Sequence, residues 1–215
     1  LRSSSAASDV YKRQILRMAE VDFFYDLRSP YTYFAWHRRN VLESVGASLS
    51  LRPVSIDVLL SLQAGRQPWA EYVDPLAPPK RSHLFADIPR MAKYWNIPLG
   101  GPRSFKPGSK QAMCFATALY STGENQSEFV DAALKALWID AKDLEAPHVL
   151  ADIESSSPIN ALTDAERQAA LEELTANTRA AYELGVFGVP TFRYRDKIYF
   201  GADRMDVLAS SISRG

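Results

Sequence analysis

The sequence has one cysteine, Cys114, and three scattered histidines, His37, His83 and His148, in 215 residues. A single thiol excludes an intramolecular disulfide, a Cys-x-x-Cys redox pair and a cysteine-rich zinc site. The histidines are too few and too dispersed for a histidine metal cluster, so no metal is expected. No apolar run approaches the ~20 residues of a membrane span, because charged residues interrupt every candidate. Charge of one sign is missing too. The 25 basic residues balance 25 acidic ones without a dominant Lys/Arg run, which argues against nucleic-acid binding. What remains is a chain of 47% apolar composition. Its length suits one large domain, or a domain with a sizeable insertion, burying roughly 70% of its unfolded surface. These properties describe a soluble globular protein of a reducing compartment, expected in the cytoplasm.

Residues 1–17 (LRSSSAASDVYKRQILR) differ from the remainder of the chain. They are rich in Ser, Ala and Arg, lack hydrophobic periodicity and lack the apolar stretch of a secretory signal. Two readings stand side by side. Residues 1–18 are a disordered or artefactual tail ahead of a natural start at Met18. Alternatively, Arg2, Lys12, Arg13 and Arg17 against the one acid Asp9 mark a transit peptide, which would place the protein in mitochondria.

Val21-Asp22-Phe23-Phe24-Tyr25-Asp26 is an apolar, aromatic run suited to a buried strand. Ser29-Pro30 then opens a helix, Ser as N-cap and Pro as first helical residue, predicted to run to Gly46. Leu49, Leu51 and Pro53-Val54 form a second strand, so residues 21–54 read as β-α-β with parallel strands. The next hundred residues show no strand. Helices are predicted over about 80–94, 109–121, 127–139 and 147–153, separated by Pro/Gly punctuation. Thr163-Asp164-Ala165-Glu166 is a capping box opening a long helix to about Leu184. A hairpin (191–194 with 197–200) and a helix over about 204–212 complete the chain. The fold class is α/β, with residues 57–171 as a helical insertion between 20–56 and 172–215.

Two stretches stand out chemically. Ser29-Pro30-Tyr31-Thr32 lies at a strand-to-helix turn, where a hydroxyl sits among unpaired N–H groups and the positive end of the helix dipole. Such a place stabilises an anion, including a thiolate carried by a ligand. By itself the same pattern is also that of a plain helix cap. Gly185-Val186-Phe187-Gly188-Val189-Pro190-Thr191 reads as helix stop, turn and strand.

In this element order, VDFFYDLRSPYTYFAW, Leu137-Trp138, GVFGVPTF (185–192) and FGADRMDVL (200–208) resemble the DsbA-like branch of the thioredoxin fold. Within that branch they resemble 2-hydroxychromene-2-carboxylate isomerases and kappa-class glutathione transferases, from Val21 to the C-terminus. The resemblance implies that Ser29 contacts the glutathione sulfur and that the Val189 backbone pairs with its cysteinyl part. It implies a cis peptide before Pro190, and Ala202 and Asp203 at the γ-glutamyl end. Lys80 falls where the family often has a lysine for the glycyl carboxylate or the substrate; the alternative is an ordinary solvated lysine.

Two departures are visible. The stretch Gly100–Pro107 contains no Asn where the isomerases usually have one, which leaves the substrate side undefined. Arg28 replaces a small or apolar residue, and reads either as a partner for a substrate carboxylate or as an exposed side chain. Cys114, Tyr33 and His37 read as packing residues. The activity implied is glutathione-dependent isomerisation of 2-hydroxychromene-2-carboxylate or a related aromatic keto acid, with glutathione as cofactor and an aromatic small molecule as substrate. The alternatives are a kappa-like transferase and a non-catalytic thioredoxin-fold binding protein. Thr32 in place of a second cysteine excludes a dithiol oxidoreductase. Relatives are often dimers, so the resemblance also implies a homodimer.

Overall fold

The computed structural model describes residues 18–71, 73, 74, 76–102, 104 and 106–214. Both readings of residues 1–17 lie outside the described residues. Four strands form one sheet in the order β2-β1-β3-β4: β1 Ala19–Tyr25, β2 Ala47–Pro53, β3 Thr191–Tyr194 and β4 Lys197–Phe200. β1 and β2 pair in parallel with Phe23 opposite Leu51, as the β-α-β reading requires. β3 lies antiparallel on the other edge of β1, Phe23 opposite Phe192, and β4 closes the hairpin.

The helices are α1 Pro30–His37, α2 Asn40–Glu43, α3 Ile56–Gln63, α4 Pro78–Tyr94 and α5 Lys110–Thr122. They continue with α6 Ser127–Trp138, α7 Pro147–Glu154, α8 Asp164–Glu183 and α9 Met205–Ser213, the last preceded by a 3-10 turn, Ala202–Arg204. The capping box of α8 forms in both directions, and the helix runs unbroken through the expected domain boundary at 171/172.

Two elements differ from the sequence reading. The first helix does not continue to Gly46: it stops at His37, and α2 forms separately after it. The Trp36 carbonyl is taken by the Arg39 N–H and guanidinium, which ends the α-helical ladder there. Helix α3 has no counterpart among the expected elements. Its signal is a Ser55 cap, whose hydroxyl accepts from the Val58 N–H, ahead of a short apolar run.

The buried apolar residues form two clusters: Phe24, Val54, Leu59, Ala181, Val186 and Val189 make the smaller one, and the larger spans sheet and helices. Phe23, Tyr25 and Phe192 share one buried cluster with Phe115 and Met113 of α5 and with Phe129, Leu134 and Trp138 of α6. The Phe23 ring stacks on Phe192 at 4.9 Å and on Trp36 at 6.3 Å. Burying rings of this size supplies a large share of the driving force for folding. Among the described residues no helix is long and apolar enough to cross a membrane.

Candidate active site

β1 delivers the chain into the turn Asp26–Ser29, and that turn is anchored from several sides. The Asp26 carboxylate, 2% exposed, accepts hydrogen bonds from the Arg28 N–H (3.1 Å), the Ile56 N–H (2.9 Å) and the Ser109 hydroxyl (2.7 Å). One carboxylate thus joins the end of β1 to the starts of α3 and α5. The Asp26 carbonyl accepts from the Ser29 N–H, and the Leu27 carbonyl from the Trp138 indole at 2.9 Å. Trp138 comes from the Leu-Trp pair noted in the sequence.

Ser29 caps α1: its hydroxyl accepts from the Thr32 N–H at 3.3 Å. The same hydroxyl donates to the Val189 carbonyl at 3.3 Å. Only the contact to Val189 engages the Oγ proton, and 3.3 Å is long for a hydroxyl donor, so that proton is loosely held and open to a better acceptor. The Val189-Pro190 peptide is cis, as is Gly101-Pro102. The Pro190 carbonyl accepts from the Gly201 N–H at 2.9 Å, which brings the last turn, Gly201–Asp203, beside the Ser29 turn. Gly201 has φ of +104° and ψ of 151°, a backbone conformation that side-chain-bearing residues rarely adopt, so the turn calls for glycine. Ala202 is buried and Asp203 exposed.

Around this group the structure adds Asp87 and Arg38, which the sequence reading did not single out, and gives a partner to Tyr31 of the first stretch. Tyr31 Oη donates to Asp87 of α4 at 3.3 Å. Burial, Asp87 and Asp203 together push the Tyr31 phenol up to about 12. Thr32 is fully buried, and among the described residues its hydroxyl has no hydrogen-bond partner. Arg38, just past α1, donates to the Ala202 carbonyl at 2.6 Å. Asp87 and Arg38 have no sequence signal, since their contacts join elements far apart in the chain.

Lys80 stands apart. It is exposed in the first turn of α4, about 10 Å along the helix from Asp87 and on the same face. Arg28 is not the exposed side chain that one of its two readings expected. It forms a two-pronged ion pair with Asp57, both distances 2.8 Å, with its side chain only 9% exposed. Asp57 lies in the first turn of α3, the unforeseen helix, and matches the guanidinium fork. Cys114 packs in the core, where burial pushes its thiol up to about 11. Tyr33 is buried, its ring edge-on to His37, and its hydroxyl donates to the Pro98 carbonyl. In the stretch without Asn, Arg103 and Phe105 lie outside the described residues. The Gly100 and Gly101 N–H groups both donate to the Trp138 carbonyl, at 2.8 and 3.1 Å.

The sequence profile of the DSBA-like thioredoxin domain matches residues 20–213. The 2-hydroxychromene-2-carboxylate isomerase of Sphingobium xenophagum is 30% identical over 196 residues, 88% of this chain and 96% of that protein. Glutathione S-transferase kappa 1 of Caenorhabditis elegans is 22% identical, covering 92% of each chain. A solved 2-hydroxychromene-2-carboxylate isomerase superposes with a TM-score of 0.69 at 24% identity, over 91% of this chain and 95% of that one. The cytosolic disulfide reductase DsbM of Pseudomonas aeruginosa, solved with glutathione, gives 0.59 at 14% identity, over 91% of this chain and 100% of that one. By sequence and by fold the chain belongs to the DsbA-like thioredoxin family, in the group of the 2-hydroxychromene-2-carboxylate isomerases and kappa-class glutathione transferases.

Proposed function

We propose that this protein binds glutathione in the cytoplasm and catalyses the isomerisation of 2-hydroxychromene-2-carboxylate or a related aromatic keto acid. The observation that carries this reading is the Ser29 hydroxyl. It is 5% exposed, sits at the N-terminus of α1, and is weakly engaged by Val189 across the cis peptide. The residues present fit glutathione. Ser29 Oγ–H and the α1 dipole suit a thiolate, and the turn built on Gly201 exposes Asp203 for an ammonium group. Lys80 offers a cation for the glycyl carboxylate or the substrate.

When bound, glutathione supplies a sulfur nucleophile that adds to and leaves the conjugated double bond, permits rotation about it, and is regenerated. The chain's own residues set the protonation of that sulfur. Ser29 donates its proton toward the anion, while the cap bond from the Thr32 N–H fixes Oγ in place. Together with the helix dipole this favours the thiolate by ~1–2 pKa units, roughly 1.4–2.7 kcal/mol. Asp203 and the Ala202 backbone hold the distant end of the tripeptide. Ser29 stabilises and forms no covalent bond.

The kappa-like transferase reading uses the same residues and is favoured by the similarity to the Caenorhabditis elegans protein. Product analysis separates the two. Incubation with glutathione and 2-hydroxychromene-2-carboxylate should yield the ring-opened isomer with glutathione unconsumed. A conjugate of chlorodinitrobenzene as the sole product would establish the transferase instead. Absence of both, with no thiolate absorbance on adding glutathione, would leave a binding protein and sink the proposal.

A further inference from the structure

Arg38 lies outside the residues assigned above to either end of glutathione, yet it makes three directed contacts at one junction. Its Nη1 donates to the Ala202 carbonyl at 2.6 Å and its Nη2 pairs with Asp206 of α9 at 2.8 Å. Its guanidinium carbon lies 4.4 Å from the centre of the Trp95 ring, at the end of α4. The side chain is only 14% exposed. Trp95 in turn meets Phe34 of α1 edge-on at 5.7 Å. The guanidinium is thus clamped between the helix that carries Ser29, the turn that carries Asp203, and the helix that carries Lys80.

The Ala202–Asp203 peptide is planar and trans, so its carbonyl and its N–H point in opposite directions. With the carbonyl fixed on Arg38, the Asp203 N–H is aimed away from Arg38. The other end of the same turn is fixed by the Gly201 N–H on the Pro190 carbonyl. A guanidinium presents a rigid fork and stacks on an indole, so it holds both acceptors with little loss of side-chain freedom, which a lysine cannot reproduce.

We propose that Arg38 is the positioning residue of the γ-glutamyl subsite, orienting the Ala202–Asp203 peptide and the Asp203 side chain without touching glutathione. This rests on the glutathione reading above. The two arms of the guanidinium separate ligand positioning from plain stability: the Ala202 arm faces the subsite, and the Asp206 arm ties down α9.

The experiment compares the full-length protein with Arg38→Met, Arg38→Lys and Asp206→Asn. Glutathione binding is followed by calorimetry, and turnover of the chromene carboxylate by absorbance. Arg38→Met keeps an apolar stem against Trp95. It should weaken glutathione about tenfold, the scale of one charge-assisted hydrogen bond, with saturated turnover and the pKa of the bound thiol unchanged. Arg38→Lys should recover part of the loss and serves if the methionine variant does not fold. Asp206→Asn should lower Tm while leaving glutathione affinity within about twofold of wild type. Wild-type glutathione affinity in both Arg38 variants would overturn the inference and leave the function intact. So would an Asp206→Asn variant as weak as Arg38→Met, or a shifted thiol pKa, since the effect would then be general loosening. A wild-type protein that binds no glutathione would instead overturn the functional reading itself.

Discussion

Ser29 and Val189 are 160 residues apart in the chain, and the hydroxyl of the first donates to the carbonyl of the second at 3.3 Å. The contact joins the N-terminal cap of α1 to the cis peptide before β3, so the two conspicuous sequence stretches are one place in the fold. A hydroxyl that donates to a carbonyl at this length keeps its proton available, which is the basis of the first prediction.

Ser29→Ala should reduce glutathione-dependent turnover about 10²-fold, if the hydroxyl contributes the full ~2.7 kcal/mol to the bound thiolate. Its effect on stability should be small, about 1 kcal/mol, because the cap bond it removes is long. Steady-state kinetics and thermal melting on the same preparation check both halves. An alanine variant at wild-type rate would remove Ser29 from the chemistry.

Asp203→Ala should act on binding alone. The carboxylate sits on the exposed side of the last turn, remote from the reacting sulfur, so its contact is equal in ground and transition states. The glutathione half-saturation should rise about fivefold with the saturated rate unchanged. A lower Tm with unaltered glutathione dependence would show that Asp203 serves only the turn.

Asp26→Asn should be costly despite the near-identical shape. Two N–H groups and one hydroxyl point at this buried carboxylate. An amide turns one acceptor into a donor facing them. The expected loss is about 2–3 kcal/mol, or roughly 5–10 °C in Tm for a chain of this size, measured by calorimetry. A variant within about 1 °C of wild type would mean that the Asp26 junction does not hold the Ser29 turn.

The stability of the helical block should carry a signature of Glu154. This carboxylate is 4% exposed and pairs with Arg167 at 3.0 Å. Burial raises its pKa, and the Arg167 guanidinium opposes the rise without cancelling it. The folded state therefore holds the proton more tightly than the unfolded chain. The corresponding stabilisation is complete below the ordinary glutamate value, about 4.3, and is lost as pH climbs through the raised one. Glu145, raised by burial in the same way, adds to the slope. From about pH 4 upward, as pH passes through the raised value, the wild type should lose stability relative to Glu154→Gln. Parallel melting curves for the two proteins across that range would contradict this.

Apart from α2 and α3, the order of elements was legible in the chain because it depends on local chemistry. A continuous apolar, aromatic run marked β1, alternation marked β2, Ser-Pro marked the start of α1, and Thr163 with Glu166 marked α8. The motifs around Ser29 and Pro190 were legible for the same reason, and their resemblance to a family named the fold. The length of α1 was not. A helix stops where its carbonyls find other donors, and Trp36 finds the backbone and guanidinium of Arg39. The fate of Arg28 was likewise hidden, because Asp57 is brought to it only by a helix that forms when α3 packs against α8. Asp26, Tyr31, Asp87 and Arg38 are ordinary polar residues in the sequence. Their roles arise from partners 30 to 168 positions away, at distances that only the closed core imposes. Local propensity and motif identified which residues can do chemistry here; the packing of helices against the sheet decided which of them meet.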